Sequence, residues 1–334
     1  MTFRAVLDPT EIELQGLEAA NPTNPFDTVS YVAARCALGA RSVLFTLDHA
    51  NGPRTAAVGY ISRNAIGRRL ELTSAPSCAN TDAFWNGVRS FCRDHHVADV
   101  AIDSYCAESV TLPTWAAPSS IRARTEWILE LNSPEELHYD SNHRRNIRKA
   151  SKLGITVIAT SDLAAARVHR QLMAESIHRR ALRGERVPVV DPTDTMYQCA
   201  FLKSGAARLF QAYHNEIVIS SLLVLYSSLG AYYQSAGTAS DGFEFGASTF
   251  LVSEIIRLLA AEGKTVFNLG GTNAGAEAEG LRRFKSGFGA RCVSLSAASY
   301  ELSGPVQKGL QAAVRALREP FQFGKSWSRR WRAS

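Results

Sequence analysis

The run Gly280-Leu281-Arg282-Arg283-Phe284-Lys285-Ser286-Gly287-Phe288-Gly289-Ala290 sets one lysine among aromatic residues and glycines. It follows Val266-Phe267-Asn268-Leu269-Gly270-Gly271-Thr272, which reads as a buried strand breaking into a glycine-rich turn. Spaced along a helical turn, Leu281, Phe284 and Phe288 would form one apolar strip. The Lys285 stem then runs beside that strip while its ammonium reaches into a cleft. A cation fixed about 3 Å from a carbonyl oxygen stabilises the negative charge that grows there when a nucleophile attacks. The chain has seven lysines and none before Lys149, so a lysine inside such a run carries weight.

Ser141–Gly154 gathers a second group. On a helix Arg144, Arg148 and Lys152 share a face, Arg145 and Lys149 lie alongside, and Ile147 and Ala150 point inward. Five cations without an acid can grip phosphates, or form a solvated face. Arg282 and Arg283 add to this charge, as do Arg329 and Arg330, which stand with Trp327 and Trp331 in a basic tail. Such a tail can contact RNA backbone and bases, or be a loose cationic end. In Tyr232-Tyr233-Gln234-Ser235, strand alternation pairs Tyr233 with Ser235 and Tyr232 with Gln234; one pair should line a cleft. Glu244, Asp241 and Glu277 are the carboxylates to test as a general base.

The elements that position these groups follow from periodicity. Strands are predicted at 42–47, 56–61, 69–72, 97–102 and 122–131, with a helix over 82–95. Ser133-Pro134-Glu135-Glu136 has the form of a capped helix start and places a domain boundary near residue 133. Beyond it come a basic helix over 140–153, a strand over 155–159 and a helix from Ser161 or Asp162. A three-strand meander over 207–213, 217–226 and 231–237 leads to a helix over 249–262. A strand at 266–269, a closing strand at 291–302 and a helix from Pro305 end the chain. Strands and helices alternating in two rounds predict an α/β (α+β) protein.

With 334 residues, 46% hydrophobic and 20% charged, the chain has the composition of a soluble globular protein of two domains. No apolar run reaches the ~20 residues of a membrane span, and the first residues show no signal-peptide core, so a cytoplasmic location is expected. The residues after 304 carry seven bases and one acid, which accounts for the whole net charge of +6 and leaves residues 1–304 formally neutral. The six cysteines form no CxxC pair and have no histidine at metal-finger spacing, so reduced thiols and no metal site are expected.

The Gly280–Ala290 run, the strand before it and the Arg144-Arg145-Asn146-Ile147-Arg148-Lys149-Ala150 helix together resemble the Fem-type (FemABX-like) aminoacyltransferases of the GNAT superfamily. That resemblance implies two tandem GNAT-like lobes, each a mixed, mostly antiparallel sheet flanked by helices. Residues 1–132 would be a degenerate lobe, 133–304 the catalytic lobe, and 305–334 a basic helix and tail. It implies acyl transfer from aminoacyl-tRNA to a primary amine of a small molecule or peptide, in natural-product (antibiotic) or peptidoglycan-precursor biosynthesis, with no bound cofactor. Phe284 and Lys285 would serve the tetrahedral intermediate. Tyr232, Tyr233, Gln234, Ser235, Asn268, Gly270, Gly271, Thr272 and Asn273 would line the acyl and acceptor cleft. Arg144, Arg145, Arg148, Lys149, Lys152, Arg282, Arg283, Arg329 and Arg330 would hold tRNA phosphates.

CoA-dependent relatives carry Arg/Gln-x-x-Gly-x-Gly/Ala where the central strand enters the next helix, and backbone N–H groups there cradle the pyrophosphate. Here the nearest frame is Phe243-x-x-Gly246-x-Ser248, which weakens acetyl-CoA or another acyl-CoA as donor. The long coiled-coil arm of some Fem proteins also has no counterpart, so the chain resembles the compact type. A CoA-dependent N-acyltransferase and a non-catalytic RNA- or glycan-binding module are the alternatives.

Overall fold

Apolar runs at Val43–Leu47, Val97–Ile102 and Ile219–Leu225 fold as strands buried on both sides. The computed structural model describes residues 1–49, 54–64, 67–76, 81–107, 110–114, 117–131, 138–185, 187, 189–272 and 278–302. Its contacts divide the chain into two units. The first holds Met1–Asn21, Phe26–Arg124 and the stretch from Ser294; the second holds Pro22–Pro25 and Thr125–Val293.

The first unit begins with β1 (Thr2–Leu7), α1 (Glu11–Ala20), α2 (Val29–Ala37), β2 (Arg41–Asp48) and β3 (Thr55–Asn64). It continues with β4 (Gly67–Leu72), α3 (Thr81–Asp94) and β5 (Val97–Ile102). β1 to β4 pair antiparallel in sequence order, and β4 pairs parallel with β5. Phe84, Trp85, Val88 and Cys92 of α3 pack with Phe45, Leu70, Leu72, Val100 and Ile102 in one buried cluster. β4 and β5 stay joined beyond their ends: Asp103 N donates to Leu72 O (2.8 Å), Ala75 N to Asp103 O (2.9 Å) and Tyr105 N to Thr73 O (3.1 Å).

β6 (Ser120–Glu130) leads into the second unit. There follow α4 (Ser141–Lys152), β7 (Thr156–Thr160), α5 (Leu163–Leu182), α6 (Met196–Lys203), β8 (Ala207–His214), β9 (Ile217–Tyr226) and β10 (Gly230–Thr238). Next come α7 (Ser240–Glu244), α8 (Ala247–Ala261), β11 (Val266–Thr272) and α9 (Glu279–Ser286). β7 to β10 form an antiparallel meander, β11 lies parallel to β10, and the Thr125–Glu130 part of β6 pairs antiparallel with β11. Alternation along β9 explains the layers. Leu222 and Val224 join Leu251, Ile255 and Leu259 of α8 in the core, while Ser221 faces His169 of α5. α4 packs on α8, and its Asp140 cap accepts from His143 N at 2.6 Å.

Several expectations change. The boundary read near residue 133 falls outside the described residues; contacts among the described ones divide the chain at Arg124/Thr125. β12 (Arg291–Glu301), expected to close the second lobe, pairs antiparallel with β5 of the first unit, Ala298 facing Ile102. The strand expected to stop at Leu269 runs on to Thr272, because a bulge between Asn268 and Gly271 absorbs the glycines without ending the ladder. β1, α1, α2, α6 and α7 were not anticipated. The helix from Pro305 and the basic tail, Arg329 and Arg330 included, lie outside the described residues. No helix among the described residues is long and apolar enough to cross a membrane.

Candidate functional site

β10 and β11 share a short parallel ladder: Gly230 faces Val266, Ala231 faces Phe267 and Tyr232 faces Asn268. There it ends, although β10 continues to Thr238 and β11 to Thr272. Each strand bulges just past that point, β10 between Tyr233 and Ser235 and β11 between Asn268 and Gly271. The bulges turn the two strand ends away from a common ladder and leave a gap in the sheet.

Lys285 stands at this gap. Its Nζ donates to Gly271 O at 2.7 Å and lies 5.7 Å from the centroid of the Tyr233 ring. The residue is only 4% exposed, so the charge is held almost out of water. Burial pushes its pKa down to about 7, opposed by the Glu126 carboxylate. The ammonium therefore gains and loses its proton near neutrality.

Gly270, between the bulge residues, has φ +75°, a left-handed conformation that glycine adopts without penalty. Its N–H donates to Asn268 Oδ1 at 2.8 Å. A Cβ at this position would lie 2.9 Å from Tyr233 O and 3.6 Å from both Lys285 Nζ and Tyr232 Oη. The lysine and the tyrosine hydroxyl thus converge on one small space beside a bare backbone.

Helix α9 is held by a buried histidine. His143 Nε2 bonds Phe284 O and its Nδ1 bonds Asp140 Oδ1, each at 2.9 Å. The His143 ring meets Phe288 edge-on at 4.3 Å, and Phe284 meets Phe288 at 5.2 Å. Asp140 N donates to Gly287 O at 2.9 Å. The start of α4 and the end of α9 are therefore one bonded unit, and Phe284 contributes its carbonyl to that joint while its ring packs against the core.

The other expected cleft residues scatter. Tyr232 is buried and donates to Glu126 Oε1 at 3.1 Å, and Asn268 Nδ2 donates to Glu126 Oε2 at 2.7 Å. Ser235 instead bonds His169 Nε2 at 2.9 Å, while the Ser221 hydroxyl meets His169 Nδ1 at 3.0 Å. Burial pushes His169 down to about 3, so its ring is neutral. The bulge thus breaks the alternation on which the pairing of Tyr233 with Ser235 rested: Tyr232 and Tyr233 both border the gap, and Gln234 sits half-buried at the bulge. Thr272 bonds Thr125 Oγ1 at 2.9 Å and Trp127 Nε1 at 3.3 Å. Asn273 and Glu277 lie outside the described residues, and Asp241 and Glu244 are exposed on α7. Leu281, assigned to the apolar strip, is 38% exposed.

Sequence reading missed Glu126, His143 and His169. Glu126 carried a signal, since alternation along β6 puts this carboxylate on the same face as Ile128, and both are buried. His143 lay inside the basic helix and was masked by the cations around it.

The five cations of α4 are exposed, and among the described residues none has an acidic partner. Arg144 donates to Tyr139 O, Arg145 to Asn142 Oδ1 and Lys149 to Glu244 O, leaving Arg148 and Lys152 the freest. An open groove of about 410 Å³ between α4 and α8 is lined by Arg144, Ile147 and Arg148 on one side and Ser253, Glu254 and Arg257 on the other. Arg282 and Arg283 are already paired with Glu279, each at 2.9 Å. At the α8 start, Gly246 takes φ +76°, and a Cβ there would meet Asn146 Cβ, O and Cα at 2.9, 3.0 and 3.1 Å. α4 therefore lies directly against the turn that opens α8.

Residues 138–286 match the family model of a GNAT acetyltransferase domain. Among solved structures the chain is similar to one described as FemX, with a TM-score of 0.68 at 13% identity, covering 93% of this chain and 100% of that one. It is also similar to L-PGS from Bacillus licheniformis (TM-score 0.53, 12% identity, 91% and 96% covered). A tandem GNAT protein from the clavulanic acid biosynthesis pathway gives a TM-score of 0.50 at 12% identity, with 90% and 99% covered. No curated protein matches the chain by sequence. A stretch of the second unit therefore matches a GNAT domain model, and the chain has the tandem GNAT fold of these structures.

Proposed function

We propose that this protein transfers an aminoacyl group from aminoacyl-tRNA to a primary amine of a small molecule or peptide. The observation that carries the reading is the buried Lys285 ammonium at the gap where β10 and β11 part, beside Gly270. The amine attacks the ester carbonyl, a C–N bond forms, and negative charge moves to the carbonyl oxygen. Lys285 offers that oxygen a fixed cation in a site nearly free of water, where such a charge acts strongly. Collapse expels the ribose oxygen, which takes up the proton given by the amine. The ester is already activated, so positioning and charge stabilisation supply most of the catalysis.

Two features support tRNA rather than CoA as donor. The turn before α8 lacks the pyrophosphate motif and is covered by α4. α4 presents exposed cations that have no acidic partner among the described residues, suited to a phosphate backbone. The test offers pooled charged tRNAs and acetyl-CoA in parallel to pooled amines and weighs the products. An aminoacyl amide that disappears with Lys285→Ala is expected; amide formed from acetyl-CoA alone overturns the reading.

A further inference from the structure

Glu126 is fully buried, and its backbone faces Gly271 across the β6–β11 ladder. Gly271 is the residue whose carbonyl holds Lys285 Nζ. The two oxygens of the carboxylate divide between the parting strands: Oε1 accepts from Tyr232 of β10 and Oε2 from Asn268 of β11. Asn268 in turn fixes the Gly270 N–H. One side chain therefore ties together the last pair of residues before the gap.

A carboxylate removed from water is costly unless hydrogen bonds and a cation compensate it. Among the described residues, the charged and titratable groups around Lys285 are few. β6 brings Glu126. β10 brings Tyr232 and Tyr233, and burial pushes the Tyr233 phenol up, so it stays protonated. β11 brings backbone only. On α9 itself, Arg282 and Arg283 are engaged by Glu279, and α4, bonded to α9, brings His143 and Asp140, which engage each other. Among these described groups, Glu126 is the acid whose field acts on the buried ammonium, and it favours the charged form.

We infer that Glu126 is a positioning residue of the acyl-transfer site: it acts through Lys285, supplying the counter-charge for the buried ammonium while anchoring both strand ends that frame the gap. Its kinetic consequence rests on the role proposed for Lys285; the electrostatic coupling does not.

The experiment exploits the seven lysines of the chain. With 13C,15N-lysine in the full-length protein, the Lys285 signal is assigned by its loss in Lys285→Met and followed through a pH titration. Wild type is expected to titrate near neutrality. Glu126→Gln keeps an acceptor for Tyr232 but removes the charge, and is expected to move the titration down by about one pH unit or more. Glu126→Asp should recover part of that shift. An unchanged titration in a folded Glu126→Gln protein overturns the inference.

Should Glu126→Gln fail to fold, the reciprocal measurement decides. In Lys285→Met, the Glu126 carboxyl, followed by 13C-glutamate labelling, should titrate at higher pH than in wild type; no change overturns the inference. With an active donor, the alkaline fall of kcat/KM should also move to lower pH in Glu126→Gln. A wild type inactive with every charged tRNA would defeat the proposed function, yet the NMR titration would still decide the role of Glu126.

Discussion

Tyr232 and Asn268 are the last facing pair of β10 and β11, and both donate to the same buried carboxylate, Glu126. The parting of the strands is therefore a pinned feature. The first unit shows the contrast. Its parallel pair, β4 and β5, remains bonded past Leu72 and Ile102 through Ala75 and Tyr105, so the equivalent gap is zipped shut. Among the described residues, the parallel pair of the first unit thus stays joined where that of the second unit parts.

Gly270→Ala tests the gap. The left-handed φ costs an L-residue about 1 kcal/mol, and the added methyl enters the space shared by Lys285 and Tyr232. The expected outcome is a folded protein, melting a few degrees lower, with kcat reduced roughly a hundredfold because the reacting carbonyl is displaced. Thermal melts and steady-state kinetics read both parts. Unchanged kcat would place the chemistry elsewhere.

The pH dependence follows from Lys285. Burial brings its pKa down to about 7, so the ammonium is present below that pH and lost above it. If the cation is the working form, kcat/KM falls as pH rises through about 7, approaching tenfold per unit. A weakly basic amine acceptor that is neutral across the whole window keeps the profile free of a rising limb of its own. Lys285→Ala should lose roughly 10²–10³ in kcat at pH 6.5 and flatten the profile. A rate that rises through this range would make Lys285 a proton acceptor instead.

The second unit was largely legible in the sequence, because its strands are long apolar runs and its helices carry clear caps and stops. Asp140 and Asp162 cap α4 and α5, and Gly263 follows α8. The first unit was read less fully. Thr10-Glu11-Ile12-Glu13 holds a complete capping box at α1, with Glu13 returning to Thr10 N at 2.7 Å, but the helix behind it buries only Leu14 and Leu17. Of the site, Lys285 stood out through its glycines and aromatics. Glu126 lies 159 residues earlier in the chain and meets Lys285 only through strand pairing, which no local pattern encodes. The swap of β12 into the first unit was hidden for the same reason: a strand's partner is set by topology, whereas its periodicity is its own.

His143 is expected to behave as a joint. Removing its ring leaves Phe284 O without its partner inside the packed seam of α4 and α9, while Asp140 keeps the His143 N–H. A buried polar group deprived of its hydrogen bond costs about 1–3 kcal/mol. His143→Ala should therefore lower the melting temperature by several degrees and reduce kcat more than it raises KM for the donor, because α9 loses its fixed seat. His143→Gln, which can still donate to Phe284 O, should recover part of both. A variant that melts lower with wild-type kcat would confine His143 to stability.

Arg148 and Lys152 separate donor binding from chemistry. Both are exposed on α4 and have no acidic partner among the described residues, so replacing them with alanine should leave the melting temperature within a degree. If they hold phosphates, the double variant raises KM for charged tRNA and lowers the slope of log affinity against log salt by about two, one for each lost contact. Turnover of a small aminoacyl ester that carries no phosphate should be unaffected. Equal losses with both donors would mean that α4 serves the catalytic centre through its packing on α8, and the phosphate role would pass to another surface.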